Sequence, residues 1–108
     1  MRKIESQMNA AISRGIDWKS GNTEVTNIDG VSFVFLHGNK IAEVGDTFIR
    51  LFDGGWQTNT TKSRLNAILW EHGIGGESVF QKNFDWFLRS KFGTEFTTIP
   101  FFSGMRLA

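Results

Sequence analysis

The sequence predicts a single α+β domain over residues 1–108: an N-terminal helix, an antiparallel meander of about four strands, a second helix, then one or two further short strands. Three observations carry this. Two segments repeat their apolar residues at helical spacing, and the stretch between them alternates with a period of two. Glycine-containing pairs punctuate that stretch at hairpin intervals. The length of 108 residues suits one domain.

The first helix is predicted over residues 2–14. Ile4, Met8, Ala11 and Ile12 form one apolar stripe, with Arg2, Lys3, Glu5, Gln7 and Asn9 mostly off it. Gly15 supplies a C-terminal stop. Trp18 lies in a polar connection that ends at Gly21. From Asn22 the period becomes two. Asp29-Gly30 is a two-residue hairpin signal, because a type I′ turn needs positive φ at both central positions. Val31–His37 is the most apolar strand. Val31, Phe33 and Phe35 share one face, with Val34 and Leu36 on the other, which predicts a central strand covered on both sides. Gly38-Asn39 is the next predicted turn, followed by strands over Lys40–Val44 and Thr47–Phe52, with Gly45-Asp46 turning between them. Asp53-Gly54-Gly55 breaks the sheet. Leu65, Ile68 and Leu69 place a second helix from about Thr61 to Glu71, with Thr60 or Thr61 as its N-cap and Gly73 closing it. Gly73–Gly76 is a loop. Ser78–Lys82 and Phe84–Ser90 read as two short strands. A helix over Phe80–Leu88 competes, because Phe80, Phe84, Phe87 and Leu88 also share a helical face. The tail from Phe92 onward carries Phe96, Phe101, Phe102 and Met105. It is expected to pack on the domain or on a second copy, since soluble monomers rarely expose so large an apolar patch.

Composition narrows the function classes. Forty per cent hydrophobic and 21% charged residues is a folding composition. Twelve basic and eleven acidic residues leave a net charge of +1, so an anion site must come from a local cluster. The chain has no cysteine, which excludes disulfides and cysteine zinc sites. Two histidines are too few for a histidine-rich metal site. No cofactor is implied. The N-terminus lacks a signal-peptide core, and no run approaches the ~20 apolar residues of a membrane helix, so a cytoplasmic protein without membrane partners is expected. Neither a nucleophile elbow nor a tuned carboxylate pair is present, and no enzymatic activity is expected.

The strongest binding signal is Thr60, Thr61, Lys62, Ser63 and Arg64 at the start of the second helix. Free backbone N–H groups, hydroxyls and basic side chains together suit an anion. The opposing reading is a solvated helix start with a threonine cap. Lys62 and Arg64 at the beginning and Glu71 at the end all run against the helix dipole. Reversing both basic charges is therefore expected to leave the fold intact. Trp56 precedes this helix and is a candidate apolar anchor. His37 and Asn39 flank Gly38 and form a second candidate contact pair. Turn chemistry is the favoured account of Gly38 and Asn39, and His37 alternates onto the Phe33–Phe35 face, where a buried histidine is the competing reading. Trp70 lies off the Leu65–Leu69 stripe and is a candidate for partial exposure.

Lys3–Ile12 (KIESQMNAAI), Val34–Ala42 (VFLHGNKIA) and Gly55–Leu69 (GWQTNTTKSRLNAIL) together resemble small proteins carried by tailed bacteriophages and some plasmids. The resemblance covers the first two thirds of the chain. It implies a mobile-element origin and brings no assigned activity. On it rests the expectation of a phage-type accessory protein that binds and modulates a host or defence component without catalysis. The order helix, antiparallel strands, basic helix start is also similar to that of double-stranded-RNA-binding domains, so an RNA- or DNA-binding module is an alternative. A sponge for a small anionic nucleotide is a third. Self-association through the Phe-rich tail is a further partner expectation.

Overall fold

The computed structural model describes residues 1–92 and 94–107. Of the C-terminal tail, Gly93, Ala108 and the Phe92 side chain lie outside the described residues. The α+β order read from the sequence is present. Helix α1 (Lys3–Arg14) leads into strands β1 (Trp18–Ser20), β2 (Thr23–Ile28), β3 (Val31–Leu36), β4 (Asn39–Val44) and β5 (Ile49–Leu51). Helix α2 (Asn59–His72) follows, then β6 (Ser78–Lys82), β7 (Asp85–Phe92), β8 (Glu95–Pro100) and β9 (Met105–Leu107). Strands β1 to β5 form the meander. β9 returns to pair antiparallel with β5, making a six-stranded sheet in the order β1-β2-β3-β4-β5-β9. β6, β7 and β8 form a separate three-stranded sheet. Phe80–Leu88 is thus a hairpin and not a helix. No helix among the described residues is long and apolar enough to cross a membrane.

Both helices lie on the face of the large sheet that carries Val25, Val34, Leu36, Val44 and Leu51. Met8, Ala11 and Ile12 from α1 meet Leu65, Ile68 and Leu69 from α2 there. The methionine, isoleucine and leucine side chains among these each contribute roughly 1.5–3 kcal/mol when fully buried. A bulge between Val34 and Phe35 leaves Ile41 unpaired, since Val34 faces Ala42 and Phe35 faces Lys40. Both Ile41 and Ala42 are consequently buried. The second sheet joins the same core through Val79, Trp86 and Leu88. Asn66 of α2 docks it: its Nδ2 donates to the Val79 carbonyl at 2.9 Å, and its Oδ1 accepts the Val79 N–H at 2.7 Å. One side chain therefore occupies both ladder groups of an edge-strand residue. In the tail, Met105 and Leu107 enter the core on β9, and Phe101 meets Trp86 edge to face at 5.4 Å. Phe96 and Phe102 stay exposed.

Several local expectations change. The helix faces are more polar than the apolar stripes suggested. Glu5 and Asn9 are buried beside Met8 and Ile12, and Thr61 and Arg64 beside Leu65 and Ile68. The inward faces comprise residues 5, 8, 9, 11, 12 of α1 and 61, 64, 65, 67, 68, 69 of α2, both at helical spacing. The outer face of β3 carries Val31, Phe33 and Phe35 half-buried with no helix over it. Lys40 shields this face in part: its Nζ lies 5.9 Å from the Phe33 centroid and 4.4 Å from that of Phe52. The β3–β4 turn is His37-Gly38, with φ of 51° and 77°, and Asn39 already belongs to β4. The register Leu36 opposite Asn39 leaves only those two residues for the loop. The Asp29-Gly30 turn is as read, with φ of 50° and 80°.

The β6–β7 turn uses Asn83 and Phe84, at φ 51° and 69°. Glycine is the residue that normally takes the second of these positions. A phenylalanine held there costs on the order of 1–2 kcal/mol, and Phe84 is also 91% exposed. Local stability does not explain it.

Candidate functional site

Asp53-Gly54-Gly55 turns the chain from β5 toward α2. The Asp53 carboxylate accepts the Gly55 N–H at 2.8 Å, and Gln57 Nε2 donates to its other oxygen at 3.5 Å. Gly54 has φ 70°, and a Cβ there would sit 3.2 Å from Ile41 Cγ2 and 3.3 Å from Asn39 Cβ. A glycine is required for both reasons. The turn packs tightly on the β4 bulge and holds Trp56 outward, 72% exposed.

Helix α2 then begins at Asn59, two residues before its expected start. Its N-cap is Thr58, whose hydroxyl accepts the Thr61 N–H at 3.1 Å. The two threonine hydroxyls lie 3.0 Å apart, and Thr61 Oγ1 donates to the Trp56 carbonyl at 3.4 Å. Thr60 and Thr61 are therefore helical residues and not the cap. The earlier start moves Lys62 and Arg64 out of the first turn, so their conflict with the dipole largely disappears. Glu71 remains in the last turn.

Between this helix start and the β3–β4 turn lies a cavity of about 320 Å³. His37, Asn39, Trp56, Thr60 and Thr61 all line it, so five of the eight predicted binding residues converge although they come from segments twenty residues apart. Leu36 and Ile41 give it an apolar floor, and Asp53 and Thr58 complete its wall. His37 is exposed in its turn and not buried beside Phe33 and Phe35, because its positive φ takes it out of the strand alternation. Among the described residues no group of three His, Asp or Glu side chains is placed to hold a metal ion.

Three predicted binding residues, Lys62, Ser63 and Arg64, are not at this cavity. Arg64 is 3% exposed. Its Nη1 donates to Glu5 Oε2 at 2.8 Å, its Nε to Thr23 Oγ1 at 3.1 Å and its Nη2 to Asn22 Oδ1 at 3.3 Å. Ser63 Oγ donates to the same Glu5 oxygen at 2.6 Å. Glu5 Oε1 takes the Arg2 backbone N–H at 3.1 Å, half of a capping box for α1. Burial would raise the Glu5 pKa. The hydrogen bonds from Ser63, the Arg2 N–H and Arg64, with the Arg64 charge, outweigh it and hold the carboxyl below its ordinary value. This network ties α1, α2 and β2 together. Arg64→Glu would place a second carboxylate against Glu5, so the double charge reversal is not a fold-neutral change. Lys62 is half-buried beyond the network.

Sequence reasoning missed Glu5, Thr23 and Asn66. For Glu5 a signal existed: a polar row at helical spacing with Met8, Asn9 and Ile12. For Asn66 none did, because its partner is a backbone.

No curated protein and no solved structure matches the chain. A protein-family model described as Kyanoviridae Gp96 protein matches residues 1–108, the full length of the sequence. The chain belongs to this family of phage proteins.

Proposed function

We propose that this protein is a non-catalytic phage accessory protein that acts in the host cytoplasm by binding and modulating a host or defence protein. The contact surface is the rim of the cavity between the β3–β4 turn and α2. One observation carries the reading: Trp56 is 72% exposed on a turn braced by Asp53 and Gly54. Tryptophan is among the side chains most enriched at binding hot spots. His37, Asn39 and Thr60 supply polar contacts around it. The non-catalytic part of the reading rests on the cavity wall. Its one histidine, His37, shares the wall with one carboxylate, Asp53, which is already engaged by Gly55 and Gln57.

The alternatives at this site have less to support them. A nucleic-acid module would use Arg64, which is committed to Glu5. A nucleotide sponge would set a phosphate against the Asp53 carboxylate. Self-association through the tail loses part of its motive, since Met105 is buried in its own core.

The test is affinity capture from host lysate with the parent protein, Trp56→Ala and Trp70→Ala. Trp70 is even more exposed but does not line this cavity. A host protein retained by the parent and by Trp70→Ala, and lost with Trp56→Ala at unchanged Tm, supports the reading. Equal retention by all three proteins removes this surface from consideration.

A further inference from the structure

The β6-β7-β8 sheet has one face in the core and one in solvent, and the outward face has a pronounced chemistry. Its register brings Phe80 opposite Phe87 and Phe87 opposite Pro100, with Lys82 opposite Asp85. Farther along, Arg89 faces Thr98, and Lys91 faces Phe96. The Phe80 and Phe87 rings stack at 5.7 Å with planes 24° apart. The Arg89 guanidinium lies over the Phe96 ring at 4.1 Å, and Lys91 Nζ is 5.7 Å from the same centroid. Three cations therefore accompany the aromatic rings, against one carboxylate, Asp85, among the described residues of this face. At the tip stands Phe84, 91% exposed and held at φ 69° where glycine would relieve the strain.

We propose that this outward face and its tip bind a single-stranded nucleic acid. Bases stack on Phe84, on the Phe80–Phe87 pair and on the guanidinium plane that Arg89 lays over Phe96. Phosphates run along Lys82, Arg89 and Lys91. Aromatic rings and arginine planes on an exposed sheet are what unpaired bases stack on, and stacking tolerates any base sequence. The distance from the tip to Lys91 is about 20 Å at the strand rise of ~3.3 Å per residue, enough for several nucleotides. The near-neutral charge of the whole chain does not oppose this, because the positive charge is local to the face. The strain at Phe84 gains a reason: the position carries a ring for a ligand, at the expense of the turn. This surface is separate from the Trp56 cavity and does not depend on the protein-binding reading.

The experiment is fluorescence anisotropy with a labelled oligothymidylate of about 12 nucleotides, of the order of the stretch one small sheet domain covers. A duplex of equal length is the competitor. The parent protein is expected to prefer the single strand. Three phosphate contacts predict a log–log salt slope of about −2, or a loss of roughly 20-fold in affinity for a fourfold rise in salt. Phe84→Gly is expected to weaken binding by about 5- to 150-fold while raising Tm, a combination that a purely structural residue does not give. Arg89→Gln with Lys91→Gln is expected to flatten the salt slope to about −0.7. No binding by the parent at low salt overturns the proposal. So does equal or tighter binding of the duplex, or affinity unchanged in both variants. A concentration-dependent dimer of the parent that Phe84→Gly abolishes, with no oligonucleotide binding, assigns the face to a second copy of the chain and likewise overturns it.

Discussion

Replacing Arg64 by methionine removes the cation from a carboxylate that is 2% exposed, while keeping most of the side-chain volume. The Glu5 carboxylate keeps Ser63 and the Arg2 N–H but loses its counter-charge, and Thr23 and Asn22 lose their shared donor. Breaking a buried pair from one side costs about 3–5 kcal/mol. That is a large part of the 5–15 kcal/mol that holds a typical domain together. At about 4 °C per kcal/mol for a domain of this size, the melting point should fall by about 12–20 °C at pH 7. The sign of the pH dependence follows from the Glu5 shift. Its folded-state pKa lies below the ordinary value of 4.5, so the parent's stabilisation from this group is complete above that value and is lost as pH falls through the lowered one. Without Arg64 the carboxylate is buried uncompensated and its pKa moves up, so protonation relieves the variant. The gap between parent and variant should be widest near pH 7 and narrow toward about pH 4. Combining Glu5→Met with Arg64→Met should recover more than half of the loss, because an apolar replacement of a buried pair is often neutral or better. Thermal melts of the three proteins at both pH values check this. A cost under about 1 kcal/mol, or a gap that does not change with pH, would refute the buried-pair argument.

Thr58→Ala should lower stability by about 1 kcal/mol by removing the α2 cap, whereas Thr60→Ala should change it little; denaturant midpoints of the two variants separate these cases. Asn66→Ala strips both partners from the Val79 backbone and should cost about 2–4 kcal/mol. Hydrogen exchange should show β6 and β7 losing protection before β2 to β4, and uniform loss across both sheets would contradict the docking role. His72 is half-buried at the end of α2, and burial lowers its pKa below 6.5 against the opposing charge of Glu71. The unfolded chain then binds the proton more readily, so the parent should lose stability as pH falls from about 6.5 through the lowered value. His72→Asn should flatten that slope, and a slope of the same size in the variant would assign it to another group.

Hydrophobic period and turn chemistry determined the element order. The two helical stripes, the Asp29-Gly30 hairpin and the Gly-Gly break after β5 are local signals, and each is legible from neighbouring residues. The same signals place Trp56 after a turn and before a helix, outside the stripe of either, but the packing alone decides that its ring is exposed. What the sequence could not convey is long-range pairing. β9 closes the sheet against β5 after more than fifty residues, and the Phe80–Leu88 pattern suited strand and helix equally until β8 and α2 gave it partners on both sides. The roles of the polar residues were decided the same way. Arg64 looked like a surface cation because a charged side chain is rarely buried. Only the packing of α1 on α2, which sets Glu5 against Arg64, makes its burial affordable and withdraws it from the candidate site. His37, Trp56 and Thr60 come together for the converse reason. A bulge at Ile41 and a glycine at position 54 bend separate segments onto one cavity, and no spacing along the chain encodes that meeting.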